Sequence, residues 1–131
     1  MREKIRAALR YVLAAFMVFG GINHFLNPDF YLHMMPGYMP FHPELVALSG
    51  VAEIGLGALT FFNRTKRIAG LLIVAMLIVF FTVHIDMLVH AGDKYADLPL
   101  ILLWGRIPLQ FVLIWWTLWS TSPIDDPGKG A

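Results

Sequence analysis

Cysteine is absent from the 131 residues, which excludes disulfides, thiolate metal sites, iron–sulfur clusters and c-type haem attachment together. Charge is scarce as well. Only 15% of residues are charged, against about 25% in soluble domains, so there is too little polar surface to coat a globule in water. A net charge of +1 supplies no field for nucleic acid. H-E-x-x-H and other spaced ligand motifs are missing, which disfavours metal or haem. No internal repeat and no low-complexity tract interrupts the chain, whose length suits one domain. What is abundant is apolar surface, at 58% of residues with a mean hydropathy of +0.66. That much apolar surface excludes a disordered chain and makes lipid its expected solvent.

A spanning helix needs about 20 mostly apolar residues. Four segments qualify, at about residues 7–25, 44–62, 68–90 and 99–119, which predicts an all-α, four-helix membrane bundle. Pro43 and Pro99 stand where the second and fourth spans open. Residues 63–67 form a polar turn between the second and third. The first span has the basic start of a signal peptide. Its apolar run is longer than a signal core and no A-x-A-like site follows, so it is expected to stay. Between the first two spans, residues 26–43 carry four prolines, which forbid one continuous helix. The aromatic and Met residues there suit an interfacial cap, read first as a connector and second as a lid over a ligand cavity.

Eight of the ten Lys and Arg residues fall on one side of this topology: Arg2, Lys4, Arg6, Arg10, Arg64, Lys66, Arg67 and Lys129. Lys94 is on the other side and Arg106 lies within the fourth span. By the positive-inside rule both termini and the middle loop, with residues 120–131 as a tail, are expected in the cytoplasm. Trp115, Trp116 and Trp119 close the fourth span at that face.

A charge at mid-membrane costs about 2.5–3.5 kcal/mol on insertion scales, so the polar residues inside the spans need a reason. Glu53 stands nine residues past Glu44, about 13 Å along its helix. Arg106 has Gln110 one turn deeper. Asp86 and His90 share a face at i, i+4, whereas His84 points elsewhere, about 200° from Asp86. Asn23 and His24 end the first span. Under the inferred topology all of these fall between the bilayer centre and the outer surface. Glu53 and Asp86 compete for Arg106. Glu53 is the preferred partner, because Asp86 lies close enough to the surface to be wetted. Such a pair is either part of a site or a structural bridge that fixes register. Ser49, Glu53 and Gly57 lie on one face with Gly50 beside them, and small residues let helices approach closely in lipid. Pro108 frees the carbonyl of Trp104, a break tolerated where neighbours or a cavity satisfy the backbone.

Four stretches, taken in order, resemble DoxX-like membrane proteins: Gly21-Ile22-Asn23-His24-Phe25-Leu26-Asn27-Pro28, Ser49-Gly50-Val51-Ala52-Glu53-Ile54-Gly55, Arg67-Ile68-Ala69-Gly70 and Leu103-Trp104-Gly105-Arg106-Ile107-Pro108-Leu109-Gln110. The third span departs from the pattern, with Phe81-Thr82-Val83-His84 where relatives tend to have Phe-Pro-Ala-Asn. The resemblance implies a four-helix bundle in the bacterial cytoplasmic (inner) membrane. It also implies an association with redox complexes or with assembly of other proteins, within a functionally mixed family.

The leading expectation is an accessory subunit of a membrane redox system, non-catalytic by itself, that binds a quinone or similar small amphipathic ligand. Glu53 and Arg106 would hold the polar head. Gln110, His24 and His84 would donate or relay protons, and Asp86 and Asn23 would complete the cluster. The rival is a membrane chaperone or assembly factor with a protein partner or a second copy of itself, in which the cluster is structural. A proton-coupled transporter ranks below both, for want of a polar path through the cytoplasmic half.

Overall fold

The first predicted span reaches past its apolar run. Arg, Glu and Lys are good helix formers, so helix α1 begins at the charged start of the chain and covers Arg2–Leu26. The computed structural model describes residues 1–122; the rest of the predicted tail, with Lys129, lies outside the described residues. After α1 come α2 (Pro28–Met34), α3 (His42–Thr60), α4 (Lys66–Val89) and α5 (Leu100–Thr121). All regular structure among the described residues is helical. Four of these helices, α1, α3, α4 and α5, are long and apolar enough to cross a membrane, the make-up of a multi-pass membrane protein. Only 17–28% of each one's most apolar stretch is buried within the protein. Phe19, Ile101 and Leu48 are 71%, 79% and 64% exposed, so the larger part of this surface needs an apolar solvent.

The proline-rich connection is not wholly irregular. Pro28 occupies the first turn of the two-turn helix α2, where its missing N–H costs nothing. Pro36 and Pro40 follow, and the chain re-enters α3 through Phe41, whose φ of 57° is left-handed. The α4–α5 loop is fastened to this cap. Lys94 Nζ donates to Met35 O at 3.1 Å, and the fully buried Tyr95 donates its hydroxyl to His33 O at 3.0 Å. Tyr95→Phe is expected to destabilise the protein by about 1 kcal/mol, the worth of one buried hydrogen bond. Chemical unfolding in micelles and protease cleavage within residues 36–41 would both report it.

Helix α1 packs most extensively on α3, and α4 on α5. Leu13 and Met17 of α1 meet Ile73 and Leu77 of α4 in the middle of the bundle. At the opposite end from the cap, Arg6 Nε donates to Trp119 O at 2.8 Å and Trp116 Nε1 to Leu9 O at 3.2 Å. The start of α1 and the close of α5 therefore share one end. Helix α5 runs through Pro108 without ending.

Candidate functional site

Glycine sets the distance between α1 and α3. A Cβ placed on Gly21 would lie 2.6 Å from Gly50 O and from Ile54 Cγ1, and one on Gly50 would lie 2.8 Å from His24 Cβ. The expected close approach at Gly50 and Gly57 is therefore made against α1. It brings the imidazole of His24 against the carboxylate of Glu53, with Nε2 2.9 Å from Oε2. Glu53 also rests on Gly20, where a Cβ would stand 3.8 Å from both carboxylate oxygens.

His24 is 6% exposed. Its Nδ1 lies 3.0 Å from Val46 O and 2.9 Å from Ser49 Oγ. Two proton arrangements satisfy this network. In one, Nδ1–H donates to Val46 O; in the other, the Ser49 hydroxyl donates to a bare Nδ1. Nε2 comes within 2.9 Å of Oε2 without hydrogen-bonding geometry, and among the described residues Oε2 has no hydrogen-bond partner. Tyr31 of the cap covers His24, ring centroids 3.9 Å apart, and the Tyr31 hydroxyl accepts from Asn23 Nδ2 at 2.7 Å.

The expected Glu53–Arg106 ion pair does not form. Glu53 sits in the α1–α3 seam, while α5 packs chiefly on α4. Among the described residues no carboxylate lies within 4.0 Å of Arg106. Its guanidinium instead reaches the thioether sulfurs of Met34 and Met87, at 3.5 and 3.6 Å. Thioethers are weak acceptors, so among the described residues the cation has no counter-ion.

Glu53 and Arg106 nevertheless face one cavity of about 300 Å³, together with His24 and His84. The rest of its wall is mostly apolar, from Phe16, Phe80 and Val83 of the long helices and Phe30, Tyr31 and Met34 of the cap. His84 Nδ1 is buried without a hydrogen-bond partner. Three of the seven residues singled out by sequence do not line this cavity. Gln110 is buried but donates to Leu77 O at 2.6 Å, tying α5 to α4. Asn23 serves the cap through Tyr31 and Asn27. Asp86 turns toward His90, Oδ1 to Nε2 3.5 Å, on the other side of α4 from His84, as their spacing requires. Outside the spans His90 also meets Asp93 at 3.4 Å. The Lys94 backbone N–H, and less so His90, hold the Asp93 carboxyl below its ordinary range.

Sequence reasoning missed Tyr31 and Met34. Their signal was Asn27-Pro28, a helix start that places residues 30, 31 and 34 along a single short helix, with 30 and 34 on one face.

No curated protein and no solved structure matches the chain. A family model described as a domain of unknown function, DUF8561, matches residues 13–121, so the chain belongs to that family.

Proposed function

We propose that the protein binds a small amphipathic molecule with a carbonyl-bearing ring head, a quinone by class, in the cavity under the cap, and serves as an accessory subunit of a membrane redox system. One observation carries this reading: a guanidinium with no counter-ion among the described residues and the close His24–Glu53 pair face the same mostly apolar cavity. Small-molecule sites have this make-up, apolar walls with a few convergent polar groups. A cavity near the lower end of their usual size suits a single ring. Phe16 and Phe30, each 55% exposed, stand where a tail would pass into lipid. Arg106 would donate to one carbonyl oxygen. Glu53 would accept from a hydroxyl of the reduced head. The likeness of four motifs to DoxX-like proteins supports the redox setting, and the Lys and Arg distribution supports cytoplasmic termini with the cap outside.

The test is a titration of the reconstituted protein with a short-tailed benzoquinone and naphthoquinone, read by quenching of Trp104 and its fellow tryptophans. Saturable quenching is expected. Linear, non-saturating quenching with both compounds would refute the reading. A second reading, a membrane assembly factor with a structural cluster, draws on Tyr38 and Phe41, cap aromatics 69% and 71% exposed. The two part company over Arg106, whose removal unfolds the bundle only if its role is structural.

A further inference from the structure

At the end of the bundle opposite the cap, Arg10 is only 4% exposed. Its position in the sequence, among basic residues that open a helix, gives no sign of this burial. Fourteen residues separate it from His24, about 21 Å along α1, so it takes no part in the cavity under the cap. Among the described residues its Nε is buried without a hydrogen-bond partner. Its guanidinium approaches the neighbouring Tyr11, 3.5 Å from the hydroxyl and 5.1 Å from the ring centroid. Among the described residues no carboxylate comes within 4.0 Å of it. A buried, unneutralised cation of this kind is costly unless something negative meets it.

Arg10 faces a recess of about 280 Å³. Arg6 and Tyr11 of α1, Lys66 at the start of α4, Asn63 of the preceding turn and Ser120 of α5 line it, and Glu3 contributes one negative charge. Among the described residues the Ser120 hydroxyl is also buried without a partner. Helix α4 opens here with no side-chain cap and no acidic residue in its first turn, which adds the positive end of its dipole. Arg10 of α1 and Ser120 of α5 thus bring buried donors to one recess beside the start of α4.

We propose that this recess binds a phosphate group, with Arg10 as its buried anchor. A phosphate offers several strong acceptor oxygens to donors arriving from separate directions, which a carboxylate, planar and with two oxygens, does less well. The recess also lies at the right level for it. Trp115 and Trp119 stack 5.6 Å apart on α5, and Trp116 bonds to the carbonyl of Leu9, next to Arg10; such tryptophans mark the interface, where lipid phosphates lie. The phosphate comes either from an anionic phospholipid headgroup or from a soluble phosphate on the same side.

The test uses the full chain in phosphatidylcholine nanodiscs. In one arm phosphatidylglycerol is added in steps, and retained lipid is counted by native mass spectrometry. In the other, inorganic phosphate is titrated and the melting temperature followed. Retained phosphatidylglycerol that free phosphate does not displace identifies the headgroup; a saturable rise with phosphate that displaces lipid identifies the soluble anion. In either case Arg10→Gln should bind about tenfold more weakly. Lys4→Gln, the same charge change at the same end, should bind nearly as the wild type does. The proposal is overturned if Lys4→Gln weakens binding as much as Arg10→Gln. It is equally overturned if neither ligand binds the wild type.

Discussion

Gly21→Leu should separate α1 from α3 and cost at least about 3 kcal/mol of stability, the upper range for overpacking a tight contact. The atom that a new Cβ would strike, 2.6 Å away, is a backbone oxygen of Gly50, which cannot rotate aside. Relief requires the helices to part. In lipid no hydrophobic drive holds helices together, so their association depends on close van der Waals contact between backbones. Leucine also raises helix propensity over glycine by about 0.8 kcal/mol, so propensity alone gives the opposite sign. Gly55→Leu on α3 isolates that term: nothing lies within 4 Å of its Cβ position, and it should unfold no more easily than the wild type. Unfolding in mixed micelles would compare the two. Equal stability of Gly21→Leu and Gly55→Leu would contradict the seam described here. The same comparison has a second readout, because His24 meets Glu53 only through this seam and ligand binding should fall with it.

The spans were legible because membrane crossing depends on a property that sequence states directly, the length of an apolar run. Their ends were less so. Helix α1 starts at Arg2 and not near residue 7, since a helix does not stop where lipid stops. The convergence of His24, Glu53, His84 and Arg106 was legible from depth alone: each lies the right number of residues from its helix end. Their partners were not. Depth says nothing of rotation about the helix axis, and rotation is set here by glycines at 21 and 50 that pull α1 onto α3. That contact hands Glu53 to His24 and leaves Arg106 to two methionines. Asp86 and His90 could be paired in advance because i, i+4 spacing on one helix fixes their relative direction without any tertiary contact. The short helix α2 and the placement of Tyr31 eluded sequence reasoning for a different reason. Four prolines exclude a long helix but permit a two-turn one, and only packing decides whether Tyr31 lies over His24 or in solvent.

Arg106→Met should leave folding intact, or improve it by up to about 3 kcal/mol on the insertion scale, while weakening ligand binding at least about a hundredfold. The two effects have opposite signs because the guanidinium has no counter-ion among the described residues. Removing it relieves a desolvated charge and costs only sulfur contacts, whereas a ligand carbonyl loses its strongest donor. For His24 and Glu53 the expectation reverses. Their 2.9 Å contact bridges two helices, so His24→Gln and Glu53→Gln should each destabilise. Combined, they should show a coupling of about 2 kcal/mol, within the range for residues in one network. Glu53→Gln with Arg106→Met should be additive within about 0.5 kcal/mol. A structural role for Arg106, as the assembly-factor reading requires, predicts instead that Arg106→Met unfolds the bundle and couples strongly to Glu53. Unfolding free energies of the single and double variants, measured beside quinone titrations of the same samples, separate these outcomes, because stability and binding move together under one reading and apart under the other.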